Sequence, residues 1–127
     1  MPQGFNWVKA KTECSVSQVF IELRLGVEDD IAEINKVRGG SPEKDVHIAQ
    51  NGNGNTFKVW RGESPEPSIK FRMSGNRIEV LDGNGTMAAS YEVSFNDEGH
   101  CALLSNSGEI AQWRVRREAL EGLFFNS

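Results

Sequence analysis

A chain of 127 residues with 38% hydrophobic and 25% charged residues has the length and composition of one globular domain with a core of its own. A net charge of −4 and a pI near 5.2 give a duplex phosphate backbone little to hold, so no nucleic-acid partner is expected. No apolar run is long enough to cross a bilayer, and no membrane partner is expected.

The opening "MPQGFNWVKAKTECS" lacks a basic region followed by an apolar one and a small-residue cleavage site. A cytoplasmic protein is therefore expected. The two cysteines, Cys14 and Cys101, are too few for a disulfide scaffold and have no paired metal spacing. They read as two small buried hydrophobes.

A long helix is predicted from about Ser15 to Arg38. Ser15 with Gln18 three residues on fits a capping box, and Cys14 with Val19 fits a hydrophobic staple around it. Val16, Val19, Phe20, Leu23, Val27, Ile31, Ile34 and Val37 fall on one stripe at about 100° per residue. Arg38, Gly39, Gly40 and Pro42 supply a basic last turn, a glycine terminator and a stop. Ile21 and Leu25 point away from the stripe, and two apolar residues a turn apart on the outer face mark a candidate interaction surface.

From Val46 the hydrophobic period drops to two, as in a β-meander. The predicted strands are Val46 to Gln50, Thr56 to Arg61, Ser68 to Ser74, Arg77 to Asp82, Thr86 to Phe95, His100 to Ser105 and Glu109 to Val115. Between them lie "NGNGN", "GESPEP", "SGN", "DGNG", "NDEG" and "NSG", all rich in turn-forming residues. Alternation places Phe57, Val59, Ile69, Phe71, Met73, Ile78, Val80, Met87, Ala89, Tyr91, Val93 and Phe95 on an inner face. Lys58, Lys70, Arg72, Arg77, Glu79 and Glu92 fall on a wet outer one.

The last segment fits two patterns. Ala111, Trp113 and Val115 alternate as a strand would, whereas Ala119, Leu120, Leu123 and Phe124 share a helical face. The expectation is a strand running into a terminal helix from about Arg116 to Phe125; the alternative is one helix from Glu109 with Ile110, Trp113, Leu120 and Phe124 inward.

Two Gly-rich runs invite a ligand reading and do not sustain it. "QNGNGNTF" is followed by the strand pattern Thr56 to Trp60, with neither the lysine nor the helix N-terminus that a phosphate loop needs. "DGNGT" offers Asp82, Asn84 and Thr86 between strands, without the distant bidentate glutamate of a calcium loop. Both read as hairpin turns.

Polar constellations for chemistry are scarce. His100 and Cys101 are adjacent on a predicted strand and so point to opposite faces, and His47 has no ligand partner at a recognisable spacing. Glu28, Asp29 and Asp30 form an acidic run on the helix, with Asp30 at the edge of the apolar stripe, where it could pair with an arginine of the sheet. Arg114, Arg116 and Arg117 have carboxylate partners at hand in Glu118 and Glu121. No catalytic residue, metal ligand or cofactor is expected. Trp60, on the opposite strand face from Phe57 and Val59 and close to Arg72, is an aromatic on the wet face of the kind that anchors interfaces.

The expected architecture is α+β: a long N-terminal helix packed on a twisted or partly closed antiparallel meander of six to seven strands, closed by a short helix. The expected function is a non-catalytic protein-interaction or self-associating module, a homodimer in its simplest form, working through Ile21, Leu25, Trp60 and Arg72. The alternative is a small-molecule carrier or small enzyme with a pocket between the long helix and the sheet, lined by Phe71, Met73, Tyr91 and Trp113.

Overall fold

The structure is a computed structural model and describes residues 5–125. The first four residues of the opening segment lie outside the described residues. Ten elements follow in order: α1 (Trp7–Glu13), α2 (Val16–Arg38), β1 (Val46–Gln50), β2 (Thr56–Arg61), β3 (Ile69–Ser74), β4 (Arg77–Leu81), β5 (Met87–Phe95), β6 (Cys101–Ser105), β7 (Gly108–Ile110) and α3 (Gln112–Phe125). The seven strands form one antiparallel sheet in sequential order, β1 to β7. The sheet is open, with β1 and β7 at its edges. It is the α+β meander that the hydrophobic periods predict.

Helix α2 starts where its sequence says it should. The Ser15 hydroxyl accepts a hydrogen bond from the Gln18 N–H at 3.1 Å, satisfying one of the free amides of the first turn. The Gln18 side chain turns to Glu22 instead of closing the capping box. At the other end Gly40, at φ +106°, takes the left-handed position that stops the helix. Val19, Phe20, Leu23, Val27, Ile31 and Ile34 are buried, whereas Val37, expected on the same stripe, is 69% exposed, because it borders the open gap between α2 and α3.

The stripe packs onto the inner sheet face. Phe20 lies 5.2 Å from Phe57, and Phe57 stacks on Phe71 at 4.7 Å, a run of rings from α2 through β2 to β3. Ile78, Val80, Tyr91, Val93 and Leu103 continue the core across the sheet, and Val115, Leu120 and Phe124 bring α3 into it. Truncating Phe57 or Phe71, each at most 1% exposed, belongs to the class of changes that cost about 3–5 kcal/mol.

Three sequence expectations are corrected. Met87, assigned inward by alternation, is 50% exposed: the β4–β5 register slips between Val80 and Leu81, pairing Leu81 with Met87 and Val80 with Ala89. The extra residue, Ala88, is a bulge that turns Met87 to the outer face. Strand β7 ends at Ile110, and Gln112 already begins α3, so residues 111–115 are not strand. As a helix, Trp113 and Val115 point to nearly opposite sides: Val115 is buried, and Trp113, on the side of Leu120 and Phe124 but in the first turn, is 54% exposed. The third correction is covalent: Cys14 and Cys101 are joined by a disulfide that closes 87 residues of sequence. Cys101 is exposed and Cys14 half-buried, so they are not two buried hydrophobes. The short helix α1, which no hydrophobic period in the sequence marks, is capped by the Asn6 side chain accepting from the Lys9 N–H.

The Gly-rich loops turn the chain. In the β4–β5 turn the Asp82 carboxylate accepts from the Asn84 and Thr86 N–H groups at 2.9 and 3.0 Å. In the β5–β6 turn the Asn96 side chain does the same for Glu98 and His100. A side-chain oxygen that accepts from two backbone amides fixes each of these turns.

Candidate interaction groove

The site that the structure assembles lies between the second half of α2 and α3. Helix α3 docks through a wide apolar arc: Val115, Leu120 and Phe124 are buried, and Ala119 and Leu123, which fall between them around the axis, are half-buried. The docking is fixed by Arg116. Its Nη1 donates to the Gly26 carbonyl at 3.0 Å and to both Asp30 carboxylate oxygens at 2.8 and 2.9 Å. The guanidinium lies across α2 where a side chain at position 26 would project, since a Cβ on Gly26 would sit 2.9 Å from Arg116 Nε. A glycine in a helix interior costs about 1 kcal/mol relative to alanine; here it makes room for the arginine. Burial pushes the Asp30 carboxyl above its ordinary range, and the charge of Arg116 offsets part of that rise. The arginine partner expected from the sheet thus comes from α3.

Beyond this ion pair the two helices diverge into an open groove of about 440 Å³. Ile34, Leu120 and Phe124 form its apolar floor, and Val37, Trp113 and Phe125 stand on its rim. The rim residues are each more than half exposed. Arg38 covers the Phe125 ring from one side at 5.4 Å. The exposed Arg117–Glu121 pair borders the groove and, as a surface ion pair, adds little stability.

The residues singled out from sequence are distributed elsewhere. Ile21 and Leu25 are 43% and 49% exposed on the outward side of α2's first half. Trp60 and Arg72 lie on the outer face of the sheet, which separates them from the α2 pair. There Trp60 packs between His47 at 5.4 Å and the Lys58 ammonium at 5.6 Å, while Arg72 donates through Nε and Nη2 to one oxygen of Glu79. Lys58 and Lys70 stand directly opposite on β2 and β3, a like-charge pair. Glu66 relieves it: Lys58, bonded to its carboxylate, together with Ser68 and the charge of Lys70, holds that exposed group below its usual range.

The four residues proposed to line a pocket beneath α2 are not brought together. Phe71 and Tyr91 are 0% and 3% exposed in the packed core. Met73 is half-buried beside it, and Trp113 is on the rim of the groove. Tyr91 Oη reaches Glu118 at 3.5 Å, and burial, then the Glu118 charge, pushes the phenol's pKa up. Among the described residues no group of three or more His, Cys, Asp or Glu is placed to hold a metal ion, and no helix is long and apolar enough to cross a membrane.

Sequence reasoning missed the groove because Trp113 and Val37 were read as facing inward. Its one legible signal was Gly26, a glycine inside an otherwise regular helix. Compared with protein-family models, curated proteins and solved structures, the chain has no match.

Proposed function

We propose that the protein is a non-catalytic, self-associating interaction module whose contact surface is the α2–α3 groove. The observation that carries this reading is the rim: Val37, Trp113 and Phe125 are each more than half exposed around an apolar floor. Large aromatics that stay on the surface next to a concave apolar floor are the side chains that anchor interfaces. A two-fold dimer would seat each copy's Trp113 against the other's floor, an arrangement in which one patch serves both partners.

Sedimentation equilibrium and native mass spectrometry test it. Wild type forms a dimer at micromolar concentration, Trp113→Glu is a monomer with an unchanged circular dichroism spectrum, and Leu25→Glu, outside the groove, remains dimeric. A wild-type protein that stays monomeric at the highest soluble concentration sinks the proposal. The second reading, a small-molecule carrier, draws on the groove's volume, which falls in the range of ligand pockets; a monomer retaining an added mass would favour it.

A cytoplasmic location belongs to the same proposal. In that compartment thiol pools keep disulfides transient, so Cys14 and Cys101 would exchange between the bridged and the open state.

A further inference from the structure

The Cys14–Cys101 bridge joins two parts of very different anchorage. Cys101 opens β6, in the body of the sheet, where its partner across the ladder is Phe95. Cys14 is the single residue beyond the end of α1, just before the Ser15 cap of α2. Helix α1 buries none of its residues. Among the described residues, the hydrogen bonds of residues 5–14 close within the segment or onto Ser15. Besides the bridge, the segment is laid against the body at the Phe5 ring, which sits over Gly99. Seven helical residues are too few to stay helical in water without tertiary support.

The bridge is also within reach of solvent. Cys101 is exposed, and both cysteines line an open cleft of about 610 Å³ with Ala10, Gln18, Glu22 and His100. A structural disulfide sealed in a core would be shielded from exchange, whereas an accessible one is open to thiolate attack.

We propose that this disulfide is a redox-sensitive latch: closed, it holds α1 against the sheet; opened by a dithiol reductant, it releases the segment while α2 and the sheet stay folded. In the opening step a thiolate of the dithiol attacks Cys101 Sγ, forming a mixed disulfide. The Cys14 sulfur leaves as a thiolate and takes a proton. The second thiol of the reductant, deprotonated, then attacks its own sulfur in the mixed disulfide and expels Cys101, which is protonated in turn. Two electrons and two protons have moved, the protein is reduced to two thiols and the dithiol is oxidised to a cyclic disulfide. The consequence is a detached arm that carries Phe5, Trp7 and Val8, each more than half exposed even when latched.

Nitrogen-15 relaxation of the full-length protein, before and after reduction with dithiothreitol, tests the latch. The amide order parameters of residues 7–13 should drop from the rigid range near ~0.85 to below ~0.6 on reduction, with those of α2 and β1 to β6 unchanged. The Cys101→Ser variant, without any reductant, should reproduce the reduced pattern. Order parameters in 7–13 that do not respond to reduction overturn the latch, as does a Cys101→Ser variant with α1 still rigid. Loss of order throughout the sheet on reduction also overturns it, making the bridge a staple of the whole fold.

Discussion

Replacing Asn35 by alanine should destabilise the protein far more than its half-buried position on α2 suggests. Its side-chain amide donates to the Val46 carbonyl at 2.9 Å, and its oxygen accepts from the Val46 N–H at 2.8 Å. Val46 is the first residue of the edge strand β1 and is only 3% exposed, so its backbone groups would find little water in place of Asn35. Two neutral hydrogen bonds contribute about 1 kcal/mol each, and stranding buried partners raises the loss to about 2–4 kcal/mol. Alanine's better helix propensity returns about 0.5 kcal/mol. The expected net loss is about 2 kcal/mol. For 127 residues the unfolding entropy is about 0.27 kcal/mol/K, which converts that loss to a fall in Tm of about 7 °C. Thermal unfolding followed by circular dichroism, with Lys36→Ala on the same helix as the control, reads it directly. A Tm for Asn35→Ala within about 2 °C of that control would refute the clamp. Asn35→Asp divides the two bonds: its carboxylate still accepts from Val46 N–H, but its second oxygen faces the Val46 carbonyl, so it too should lose stability at neutral pH.

Two further outcomes follow from the α2–α3 junction. Gly26→Ala, which ordinarily stabilises a helix interior by about 1 kcal/mol, should here destabilise by about 1 kcal/mol in urea unfolding, because the new methyl displaces the Arg116 guanidinium from Gly26 and Asp30; a more stable variant would show that the arginine moves aside freely. Asp30 binds its proton more tightly folded than unfolded, so its contribution to stability is fully present below the ordinary carboxylate pKa and is lost as pH rises through the raised folded value. Stability of Asp30→Asn should therefore fall less steeply than wild type across that interval, and a carboxyl resonance of Asp30 titrating below 3.8 would contradict the reasoning.

What was legible in the sequence was local. Ser15 and Gln18 marked the start of α2, and the clusters "NGNGN" and "DGNG" marked hairpins whose strands then followed within a residue or so of their alternation limits. Trp60 was placed correctly on the wet face by parity alone. The misses arose where one residue changes a phase. A single bulged residue, Ala88, sent Met87 to the other face, and a switch from strand to helix at Gln112 turned Trp113 from lining to rim. The disulfide was invisible for another reason: whether two cysteines 87 residues apart meet depends on where α1 and β6 lie, which no local pattern encodes. Arg116 lay between these cases. The acid it pairs with was noticed, while the element supplying the arginine depended on the fate of residues 111–115.

The sequential strand order implies an itinerary for folding. Each strand pairs with its immediate predecessor in the chain, and apart from the β2–β3 connection the loops between them are short, so the sheet can zip hairpin by hairpin at small entropic cost. Ties of long sequence separation run from α3: Arg116 reaches back 86 residues to Asp30, and the Phe124 carbonyl accepts from the Arg61 guanidinium 63 residues earlier. On a ribosome, α2 emerges before the sheet it packs on, and α3 emerges after that sheet. Until α3 has emerged, Ile34 and the apolar sheet face beneath it lack the cover of Leu120 and Phe124, so the nascent chain presents to chaperones an apolar surface that α3 covers in the folded protein.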